Sequence, residues 1–353
     1  MLSLLSKAEN LVGLDIGSNS VKMVQIRAAD SKPKLVNLGL IPLPGDAFEE
    51  GRMAKPELVS NAIRQLAAHL KIKQKKVAVA ISGYDVMIKK IELPTMTEEE
   101  LKARMQAELG QYIPYNIDEV DIDYQVLDVS KARPNYMEVL LVAAKKESIS
   151  DYSAIMKQAG LEPYVIDVDF FALGNAFEAT DTFTDESIAL LDIGANKSVM
   201  NIVYKGIPVF TRGISIGGNQ ISETIRDYFR IPFEEAESVK LGEAPDRYPA
   251  QELQEIFTST VRNWVGECKR AVDFYYNNYP EYRIGSLLLS GGSCRIPLLD
   301  KLFQETMELP VAIFNPVSKI EYDSRQFDPA YIDYIGPRMA ISLGLALRKT
   351  KEK

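Results

Sequence analysis

Two stretches of the chain share one pattern of apolar and polar positions. Residues 11–22 read Leu-Val-Gly-Leu-Asp-Ile-Gly-Ser-Asn-Ser-Val-Lys, and residues 188–198 read Ile-Ala-Leu-Leu-Asp-Ile-Gly-Ala-Asn-Lys-Ser. In each, an apolar run ends in Asp-Ile-Gly, a small polar cluster follows, and a second apolar run begins. An apolar run of this length between turn residues is typical of a buried strand, and the small residues indicate a tight turn. The pattern therefore predicts two β-hairpins, each with an aspartate near the end of its first strand.

Elsewhere the apolar positions repeat with the period of a helix or of a strand. A spacing of 3.6 residues predicts a helix over residues 56–70, and Thr97 with Glu100 forms a capping box that opens another helix. Further helices are predicted over residues 147–159, 171–177, 219–229, 233–241, 250–278, 297–307 and 336–347. Short or alternating apolar runs between them predict strands. The chain is therefore predicted to be an α/β protein.

The repeated phrase also sets the predicted domain organisation. Asp15 and Asp192 are 177 positions apart (192 minus 15), which is enough for each phrase to open a lobe of its own. Residues 85–168 follow the order β-α-β-β-α-β of a small α/β sandwich, which predicts a subdomain inserted into the first lobe. The predicted first lobe is residues 1–84, completed by 169–185 and 336–353, and the second lobe is residues 186–335, with a smaller part at about 225–284.

The loops behind the two aspartates carry the candidate chemistry. Gly17 and Gly194 lack a Cβ, so another group can approach the backbone closely there. A turn of exposed N–H groups binds anions, and an aspartate beside it can hold Mg²⁺, which readily shares its shell with phosphates. Two such loops facing each other would clamp a nucleoside triphosphate. The alternative is a duplicated structural hairpin whose aspartate only caps a turn, and the duplication itself favours the phosphate clamp.

Composition argues against several classes of function. A net charge of −8 over 353 residues argues against a nucleic-acid-binding surface. Two cysteines and one histidine leave no disulfide framework and no Cys/His metal site, as is typical of a reducing compartment. No stretch of the sequence approaches the roughly 18 apolar residues of a membrane span. We therefore expect a cytoplasmic protein.

Two common enzyme motifs are absent or incomplete. No Walker A sequence, G-x-x-x-x-G-K-[ST], occurs in the chain. Residues 213–217 match the nucleophile motif G-x-S-x-G. That motif needs a histidine base later in the chain, whereas the single histidine, His69, lies upstream. A hydrolase of this type is therefore disfavoured.

The order of six motifs resembles the ATPase superfamily of actin, chaperones and sugar kinases. The motifs are Asp-Ile-Gly-Ser-Asn-Ser-Val-Lys (15–22), Asp-Ile-Gly-Ala-Asn (192–196), Gly-Gly (217–218), Ala-Glu-Ser-Val-Lys (236–240), Ser-Gly-Gly-Ser (290–293) and Pro-Arg-Met-Ala-Ile-Ser-Leu-Gly (337–344). The inserted subdomain looks like that of the cell-division protein FtsA. The opening phrase, Ile-Pro-Tyr-Asn-Ile-Asp-Glu (113–119) and the closing helix are similar to the PilM family of type IV pilus assembly. The resemblance implies a two-lobed actin-like ATPase fold of duplicated RNase H-like domains, with an FtsA-type 1C subdomain inserted in the first lobe.

The resemblance implies a site for ATP or ADP with Mg²⁺ that both lobes build. It assigns Asp15 and Asp192 to the metal, directly or through water. The implied nucleotide-binding residues are Gly17, Ser18, Asn19, Ser20 and Lys22 in the first loop, Gly194, Ala195 and Asn196 in the second, Gly217 and Gly218 in a turn beside the nucleotide, Glu237 and Lys240 at the ribose, and Gly291, Gly292, Ser293, Arg295 and Ile296 at the adenosine. The first loop is richer in hydroxyls and carries Lys22, so we expect it to make most triphosphate contacts. The second would contribute mainly Asp192 and backbone amides.

Hydrolysis is expected to be slow or negligible. The superfamily places a polar residue at the end of the first lobe to orient the attacking water, and Asp169 occupies a similar place, with Asp167 as the alternative. No glutamine or glutamate matches well there. A sugar or carboxylate kinase, with Asp169 as its base, and an FtsA-like cell-division tether are the alternative functions. Residues 346–353 form no long apolar face, so we expect no membrane-binding helix of the FtsA type there.

The resemblance also implies a protein partner. PilM-like proteins look like receptors for the N-terminal cytoplasmic segment of PilN, a single-span inner-membrane protein. An extended peptide of this kind can be held in an apolar groove by its backbone, and we expect that groove between the first lobe and the inserted subdomain. A pilus ATPase, other platform components and further copies of the chain are additional expected partners. The protein would thus be cytoplasmic and peripheral at the inner membrane through its partners.

Overall fold

The structure, a computed structural model, describes residues 10–27, 33–49, 51–81, 85–129, 133, 135–243 and 247–350. Its strands are β1 Val12–Ile16, β2 Ser20–Arg27, β3 Lys34–Pro42, β4 Phe48–Glu49, β5 Arg52–Met53, β6 Lys76–Ile81, β7 Val86–Pro94, β8 Val120–Val129, β9 Tyr136–Lys145, β10 Glu162–Val168, β11 Ser187–Ile193, β12 Ser198–Tyr204, β13 Ile207–Ile214, β14 Ile284–Ser290 and β15 Val311–Ile313. Its helices are α1 Pro56–His69, α2 Glu98–Tyr112, α3 Lys146–Gln158, α4 Asp169–Thr180, α5 Asn219–Phe229, α6 Phe233–Lys240, α7 Ala250–Asn278, α8 Leu299–Met307, α9 Pro329–Ile335 and α10 Ala340–Ala346, with 3₁₀ turns at Ile117–Glu119, Val317–Lys319 and Gly336–Met339.

Two five-stranded sheets repeat one topology. The strand order is β10-β6-β1-β2-β3 in the first and β13-β12-β11-β14-β15 in the second. Each begins with an antiparallel meander, β1-β2-β3 or β11-β12-β13, and two parallel strands extend it on the other side. Asp15 faces Lys22 across the first hairpin, and Asp192 faces Val199 across the second. The two predicted hairpins and the two-lobed α/β fold are confirmed.

Helices α1 and α3 cover one face of the first sheet. Pro56 begins α1 at a position where its missing N–H would have no partner. The buried side chains Val59 and Ile63 of α1 lie on one face, as the predicted helical spacing requires. Ile155 and Met156 of α3 lie in the same core. The first sheet and these two helices therefore form one packed unit.

The long helix α7 packs against the second sheet. Trp264, which is 1% exposed, lies in its buried face, and its indole N–H donates to Gln220 Oε1 of α5 at 2.6 Å. Helix α8 contributes Phe303 to the same core. The opposite face of α7 is polar. A search of all helices in the described part of the chain finds none with the length and apolar character of a membrane span.

The inserted subdomain is a three-stranded antiparallel sheet, β7-β9-β8, covered by α2. Leu101 and Met105 of α2 are buried against Leu141 of β9. The predicted capping box begins α2, because Thr97 N–H donates to Glu100 Oε2 at 2.9 Å and Thr97 Oγ1 accepts from Glu100 N–H at 3.3 Å. The helix start that the sequence predicts is confirmed.

The predicted extent of that subdomain, residues 85–168, is wrong at its C-terminal end. Strand β10 pairs in parallel with β6 in the first sheet, and α3 packs in the first-lobe core. Parallel strands need a long crossover between them, and the inserted sheet with α3 provides it between β6 and β10. The predicted boundary at residue 84 lies outside the described residues.

Two helices of small residues cross where the lobes meet. A Cβ on Gly344 of α10 would lie 1.7 Å from the carbonyl oxygen of Ala172 in α4. Likewise, a Cβ on Gly13 of β1 would lie 1.9 Å from the carbonyl oxygen of Ser342. Glycine at both places lets the backbones approach closely. The cluster around α4 and α10 also contains Leu190 of β11 and Leu11, so one core joins both sheets.

Candidate functional site

Two carboxylates lie near the ends of the corresponding strands β1 and β11. Asp15 Oδ2 accepts from Lys22 Nζ at 2.7 Å, and the two side chains are only 13% and 15% exposed. Asp192 Oδ2 accepts from Ser290 Oγ, at the end of β14, at 2.8 Å. Both aspartates are therefore fixed by a neighbour on an adjacent strand or hairpin arm.

The pKa of Asp192 depends on the charged groups that surround it. Burial raises the pKa of Asp192 to about 6. Lys22 and the Ser290 hydrogen bond oppose that rise in pKa, whereas the charges of Asp15 and Asp169 add to it. The charges of the first-lobe groups Asp15, Lys22 and Asp169 therefore act on Asp192 of the second lobe. We call the space between these groups the cleft, and the Asp15–Asp192 metal pair stays a prediction.

The third carboxylate of the cleft begins helix α4. Asp169 is 4% exposed, and its Oδ1 accepts from Phe170 N–H at 2.9 Å. Its Oδ2 lies 3.7 Å from Lys197 Nζ of the second-lobe loop, so an ion pair spans the cleft. The alternative, Asp167, lies instead 3.6 Å from Arg348 Nε. Of the two, Asp169 is the one that contacts the second loop.

Three carboxylates and two ammonium groups leave the cleft with an excess of negative charge. Within the described residues no group of three acidic, histidine or cysteine side chains is arranged to chelate a metal directly. Mg²⁺ ordinarily keeps several waters and binds one or two carboxylates together with phosphate oxygens. The arrangement of Asp15 and Asp192 fits that mode of binding.

The two loops behind the aspartates have the same backbone turn. Gly17 N–H donates to the carbonyl of Ser20 at 3.0 Å, and Gly194 N–H donates to the carbonyl of Lys197 at 3.0 Å. A Cβ on Gly194 would lie 2.7 Å from that Lys197 oxygen. The turn therefore requires glycine in the second loop. Ser18, Asn19, Ala195 and Asn196 occupy the tips of these turns.

The second loop meets the Gly217-Gly218 turn and the Ser290–Ser293 segment. Gly218 N–H donates to the carbonyl of Gly194 at 3.0 Å, and Ser293 Oγ donates to the same carbonyl at 3.0 Å. A Cβ on Gly218 would lie 2.4 Å from Ser293 Oγ. Gly291 has a φ of +89° and its Cβ would lie 2.5 Å from the Ile193 oxygen, so glycine is required there too.

The predicted ribose pair lies beside this turn. Lys240 Nζ donates to Glu237 Oε2 at 2.6 Å and to the Gly218 carbonyl at 3.2 Å. Ser222 Oγ donates to the same Glu237 oxygen at 2.5 Å. The structure thus brings together the second loop, both glycine turns and the Glu237–Lys240 pair, which are far apart in sequence.

Two predicted residues are engaged elsewhere. Arg295 binds Asp333 of α9, to its carbonyl at 2.9 Å and its carboxylate at 3.2 Å. Ile296 packs against the second-lobe core. Neither side chain contacts the predicted ribose pair or the two phosphate loops in the hydrogen bonds and ion pairs of the described residues. Gly292 has open space around its Cβ position.

Ser222, Ser290 and Lys197 are site residues that the sequence did not reveal. Ser222 holds Glu237, Ser290 holds Asp192, and Lys197 pairs with Asp169. Ser222 belongs to no motif, Ser290 opens the Ser-Gly-Gly-Ser motif (290–293) but was given no role there, and Lys197 follows the second motif by one position. Only the packing of distant segments brings them to the cleft.

A groove of about 410 Å³ opens next to the cleft. Its walls are residues 86–88 of β7, Tyr115 and residues 211–215 at the end of β13. Its other lining residues are Phe170, Lys197 and Val199. We expected a groove between the first lobe and the inserted subdomain. The groove described above lies between the inserted subdomain and the second lobe, and Phe170 is its one lining residue from the first lobe. The expected location of the peptide groove stays a prediction.

Both walls of the groove are edges of β-sheets. Strand β7 is the end strand of the inserted sheet, and β13 is the end strand of the second-lobe sheet. An edge strand presents N–H and C=O groups that no neighbouring strand satisfies. Lys90 of β7 lies over the Tyr279 ring at 5.0 Å, so the inserted sheet also contacts the second lobe directly.

Comparison with known proteins places this architecture. A family model described as type IV pilus assembly protein PilM matches residues 13–350. The chain is similar to a solved PilM-PilN type IV pilus biogenesis complex, with a TM-score of 0.85 and 25% identity, over 98% of this chain and 99% of that one. It is 23% identical over 353 residues to cell division protein FtsA of Bacillus subtilis (strain 168), covering 87% of this chain and 79% of FtsA.

A third similarity concerns the fold alone. The ethanolamine utilization protein EutJ of Carboxydothermus hydrogenoformans superimposes with a TM-score of 0.57 at 16% identity, over 98% of this chain and 90% of EutJ. Together with the two sheets of equal topology, these similarities confirm the predicted two-lobed actin-like fold. The predicted resemblance to the PilM family is also confirmed.

Proposed function

Because the chain belongs to the type IV pilus assembly protein PilM family, we propose that it is a cytoplasmic, ATP-binding scaffold of type IV pilus assembly. The observation that carries the nucleotide part is the convergence of two glycine loops, which follow corresponding strands of two sheets of equal topology, with the carboxylates of Asp15, Asp169 and Asp192. A duplicated structural hairpin would give each aspartate a local role, and would not bring the carboxylates of both lobes within reach of one another.

The described residues fit a nucleotide with Mg²⁺. The N–H groups of the two turns and Lys22 would hold the phosphates, since a loop of backbone donors and a lysine are the usual phosphate ligands. Glu237 and Lys240 would hold the ribose, and the Gly291–Ser293 turn would lie against the base. Mg²⁺, when bound, would neutralise phosphate charge, with Asp15 and Asp192 holding its water shell.

Hydrolysis on this scaffold would be slow. A water-orienting residue must be able to accept a hydrogen bond from the attacking water. Asp169 Oδ1 already accepts from Phe170 N–H and Oδ2 lies 3.7 Å from Lys197 Nζ. The residue at this place is an aspartate, and no glutamine or glutamate matches well there, which favours a structural role of the nucleotide over rapid turnover.

The proposed partner is the N-terminal cytoplasmic segment of a PilN-like inner-membrane protein. Support comes from the similarity to a solved complex of PilM with PilN and from the groove between two sheet edges. An extended peptide can add a strand to either edge, with main-chain hydrogen bonds giving affinity and side-chain pockets giving specificity. Binding there would hold the protein at the inner membrane through its partner.

Thermal unfolding tests the nucleotide proposal. A ligand that binds only the folded protein raises the free energy of unfolding by about 2.7 kcal/mol at a hundredfold excess over Kd, so MgATP should raise the melting temperature of the wild type. Asp15→Ala should lose most of that shift, whereas Asp273→Ala, at an exposed aspartate of α7, should keep it. An unchanged wild-type melting temperature at millimolar MgATP would contradict ATP binding.

A further inference from the structure

The loop between α1 and β6 concentrates positive charge on its outer side. Residues 71–76 read Lys-Ile-Lys-Gln-Lys-Lys. The exposure of these side chains alternates, because Lys71, Lys73 and Lys75 are exposed whereas residues 72, 74 and 76 are half-buried. Every outward position of the loop is therefore an ammonium group. We call Lys71, Lys73 and Lys75 the lysine row.

The inward residues fix this loop on the first lobe. Ile72 packs against the core that the first sheet forms with α1 and α3. Gln74 Nε2 donates to the carbonyl of Asn10 at 2.7 Å, and Gln74 Oε1 accepts from Gln25 Nε2 at 3.3 Å. The loop is thus held from its inner side, and the lysine row points outward without needing contacts of its own.

The lysine row is not neutralised by a carboxylate in the described part of the chain. Its three lysines take part in none of the ion pairs found there. Exposed lysines elsewhere do, since Lys205 and Lys269 each lie 2.8 Å from an aspartate oxygen. Unpaired positive charge on a protein with a net charge of −8 indicates an anionic partner outside the chain.

The start of β10 lies beside the row and adds an aromatic ring. Lys76 Nζ lies 4.4 Å from the centroid of the Tyr164 ring. Tyr164 is 40% exposed, and its hydroxyl donates to the carbonyl of Thr350. The exposed Glu162 offsets part of the positive charge, because its N–H donates to the carbonyl of Lys75 at 2.8 Å. A half-exposed tyrosine among lysines is a combination favoured where a protein surface meets the boundary of a bilayer.

The row and the cleft lie at opposite ends of the first sheet. Strands β1, β6 and β10 run parallel to one another. The row immediately precedes β6, whereas Asp15 lies near the end of β1 and Asp169 follows β10. A strand of the length of β6 spans roughly 20 Å. A flat surface bound by the row would therefore leave the cleft open to its ligands.

We propose that the lysine row is a contact surface for the anionic headgroups of a phospholipid bilayer. The inference goes beyond the proposed function, in which the protein reaches the inner membrane through a protein partner. Lysine is a flexible point charge, which suits the mobile headgroups of a bilayer, and each lysine near an anionic membrane surface strengthens binding by about fivefold. The acidic remainder of the protein does not prevent this contact, because charges more than about 8 Å apart are largely screened at physiological ionic strength.

Flotation of the full chain with lipid vesicles tests the contact. Vesicles of phosphatidylcholine mixed with phosphatidylglycerol should carry the wild type with them, whereas vesicles of phosphatidylcholine alone should not. Binding should weaken as salt is added, because salt screens the attraction. Inorganic phosphate should weaken it no more than chloride does at equal ionic strength, since the row binds a charged surface and not a single phosphate group.

Removing the charge of the row should remove the binding. Lys71→Gln combined with Lys73→Gln and Lys75→Gln should lower vesicle binding by about a hundredfold, at about fivefold for each lysine. Replacing the same three lysines with arginine keeps the charge and should keep the binding. Both triple variants should keep the wild-type melting temperature, because exposed substitutions change stability little.

A matched control separates the row from the overall charge. Lys102→Gln combined with Lys205→Gln and Lys301→Gln removes three exposed lysines from other parts of the surface. This variant has the same net charge as the glutamine triple of the row. It should bind anionic vesicles as the wild type does, because the charges that it removes lie outside the contact.

Fluorescence quenching shows which part of the molecule meets the bilayer. Tyr164→Trp adds a tryptophan beside the row, while the native Trp264 is 1% exposed in the second lobe. Anionic vesicles with nitroxide-labelled headgroups should quench the added tryptophan and leave the wild type unquenched. Tyr228→Trp, at a tyrosine that is 59% exposed in the second lobe, is the control and should also stay unquenched.

Each contrary result has a defined meaning. Failure of the wild type to float with anionic vesicles overturns the inference, and so does equal flotation with neutral vesicles. Equal losses in the row triple and in its matched control would assign the binding to net charge and would also overturn it. Self-association of the wild type without vesicles, lost in the row triple, would assign the row to a second copy of the chain instead. None of these results bears on the binding of MgATP or of a partner peptide, so the proposed function is tested separately.

Discussion

Three carboxylates, of Asp15, Asp169 and Asp192, meet two ammonium groups, of Lys22 and Lys197, at the cleft between the lobes. Burial and the two acidic neighbours of Asp192 make its ionised form unfavourable. The ionised carboxylate of Asp192 therefore lowers the free energy of unfolding. Mg²⁺ would relieve this effect, which ties the stability of the lobes to the ligand.

The raised pKa of Asp192 makes the free energy of unfolding depend on pH. The pKa of Asp192 is about 6 in the folded protein, above the ordinary aspartate value of 3.8. The folded state thus holds this proton more tightly than the unfolded state, so stability falls as the pH rises from about 4 to 6. Without Mg²⁺, Asp192→Asn should raise the free energy of unfolding at pH 7 by about 1–3 kcal/mol.

Urea unfolding without nucleotide or metal measures this effect. The advantage of Asp192→Asn should stay nearly constant from pH 7 to 6 and then shrink as the pH falls from about 6 to 4, since the wild-type carboxyl becomes protonated in that range. Asp273→Asn, at an exposed residue of α7, should show no such trend. A difference between Asp192→Asn and the wild type that is equal at pH 7 and pH 4 would contradict the assigned cause.

Gly218 gives a steric test of the same site. Its backbone φ of −58° suits any residue, so only space is at issue. A methyl group there would lie 2.4 Å from Ser293 Oγ and 3.3 Å from Lys240 Nζ. Gly218→Ala should therefore displace these groups and lower MgATP affinity by about tenfold or more, which is roughly 1.4 kcal/mol.

The control for Gly218→Ala is Gly266→Ala in α7, where nothing lies within 4 Å of the added methyl. That change should stabilise the helix by about 0.5–1 kcal/mol and leave MgATP affinity as it is. Calorimetric titration of both variants makes the comparison. Equal affinities in the two variants would show that the Gly218 turn does not contact the nucleotide.

At the scale of single residues, the sequence predicted the parts of the site that carry a motif. Asp15 and Asp192 could be found because each ends an apolar run before glycine, and the chain writes the phrase twice. The contacts of Ser290 and Ser222 could not be predicted, although Ser290 opens a motif, because their partners Asp192 and Glu237 lie 98 and 15 positions away. Contacts over such distances depend on packing that a local pattern does not encode.

At the scale of elements, hydrophobic spacing predicted helices better than it predicted strand partners. Helix α7 was predicted over residues 250–278 and is Ala250–Asn278. The last strand of the expected inserted subdomain, β10, was recognised as a strand but joins the first sheet. An apolar run shows that a strand is buried, whereas its choice of neighbour depends on the crossover that precedes it.

The predicted closing helix, residues 336–347, is divided for a local reason. Pro337 has no N–H to donate, so it interrupts the series of helical backbone hydrogen bonds. The chain therefore forms the 3₁₀ turn Gly336–Met339 before α10 begins at Ala340. The carbonyl of Pro337 accepts from Gly291 N–H at 2.9 Å, so the turn also supports the predicted adenosine segment.

The crossing of α4 and α10 makes a prediction about the junction of the lobes. Gly344→Ala would place a methyl group 1.7 Å from the Ala172 carbonyl oxygen, a backbone atom that cannot rotate away. The helices must then separate, and the free energy of unfolding should fall by roughly 3 kcal/mol, the upper part of the usual range for overpacking.

Chemical denaturation compares this variant with Gly110→Ala in α2. There the added methyl would meet the Ile117 side chain at an ordinary 3.5 Å. Gly110→Ala should therefore be neutral or stabilising, as is usual for glycine replaced within a helix. A stability of Gly344→Ala equal to the wild type would mean that the lobes do not depend on this close crossing.

At the scale of the whole molecule, two open sheet edges face one groove. The inserted sheet ends at β7 and the second-lobe sheet ends at β13, and residues 86–88 and 211–215 line the groove together. Long exposed edges are usually covered, because they pair readily with other chains. Here the two edges protect each other in part and leave room for one extended segment.

Hydrogen exchange would reveal whether the partner peptide uses both edges. Amides in an unpaired edge exchange readily with solvent, and pairing with an added strand slows them. Saturating PilN-like peptide should therefore slow exchange in residues 86–88 and in residues 211–215. The remaining edges, β8 of the inserted sheet and β15 of the second-lobe sheet, serve as internal controls and should be unchanged. Slower exchange at β8 or β15 alone would place the peptide outside the groove. Slower exchange at β7 without β13 would mean that the peptide adds a strand to the inserted sheet alone. The second lobe and its nucleotide-binding loop would then be unaffected by the peptide.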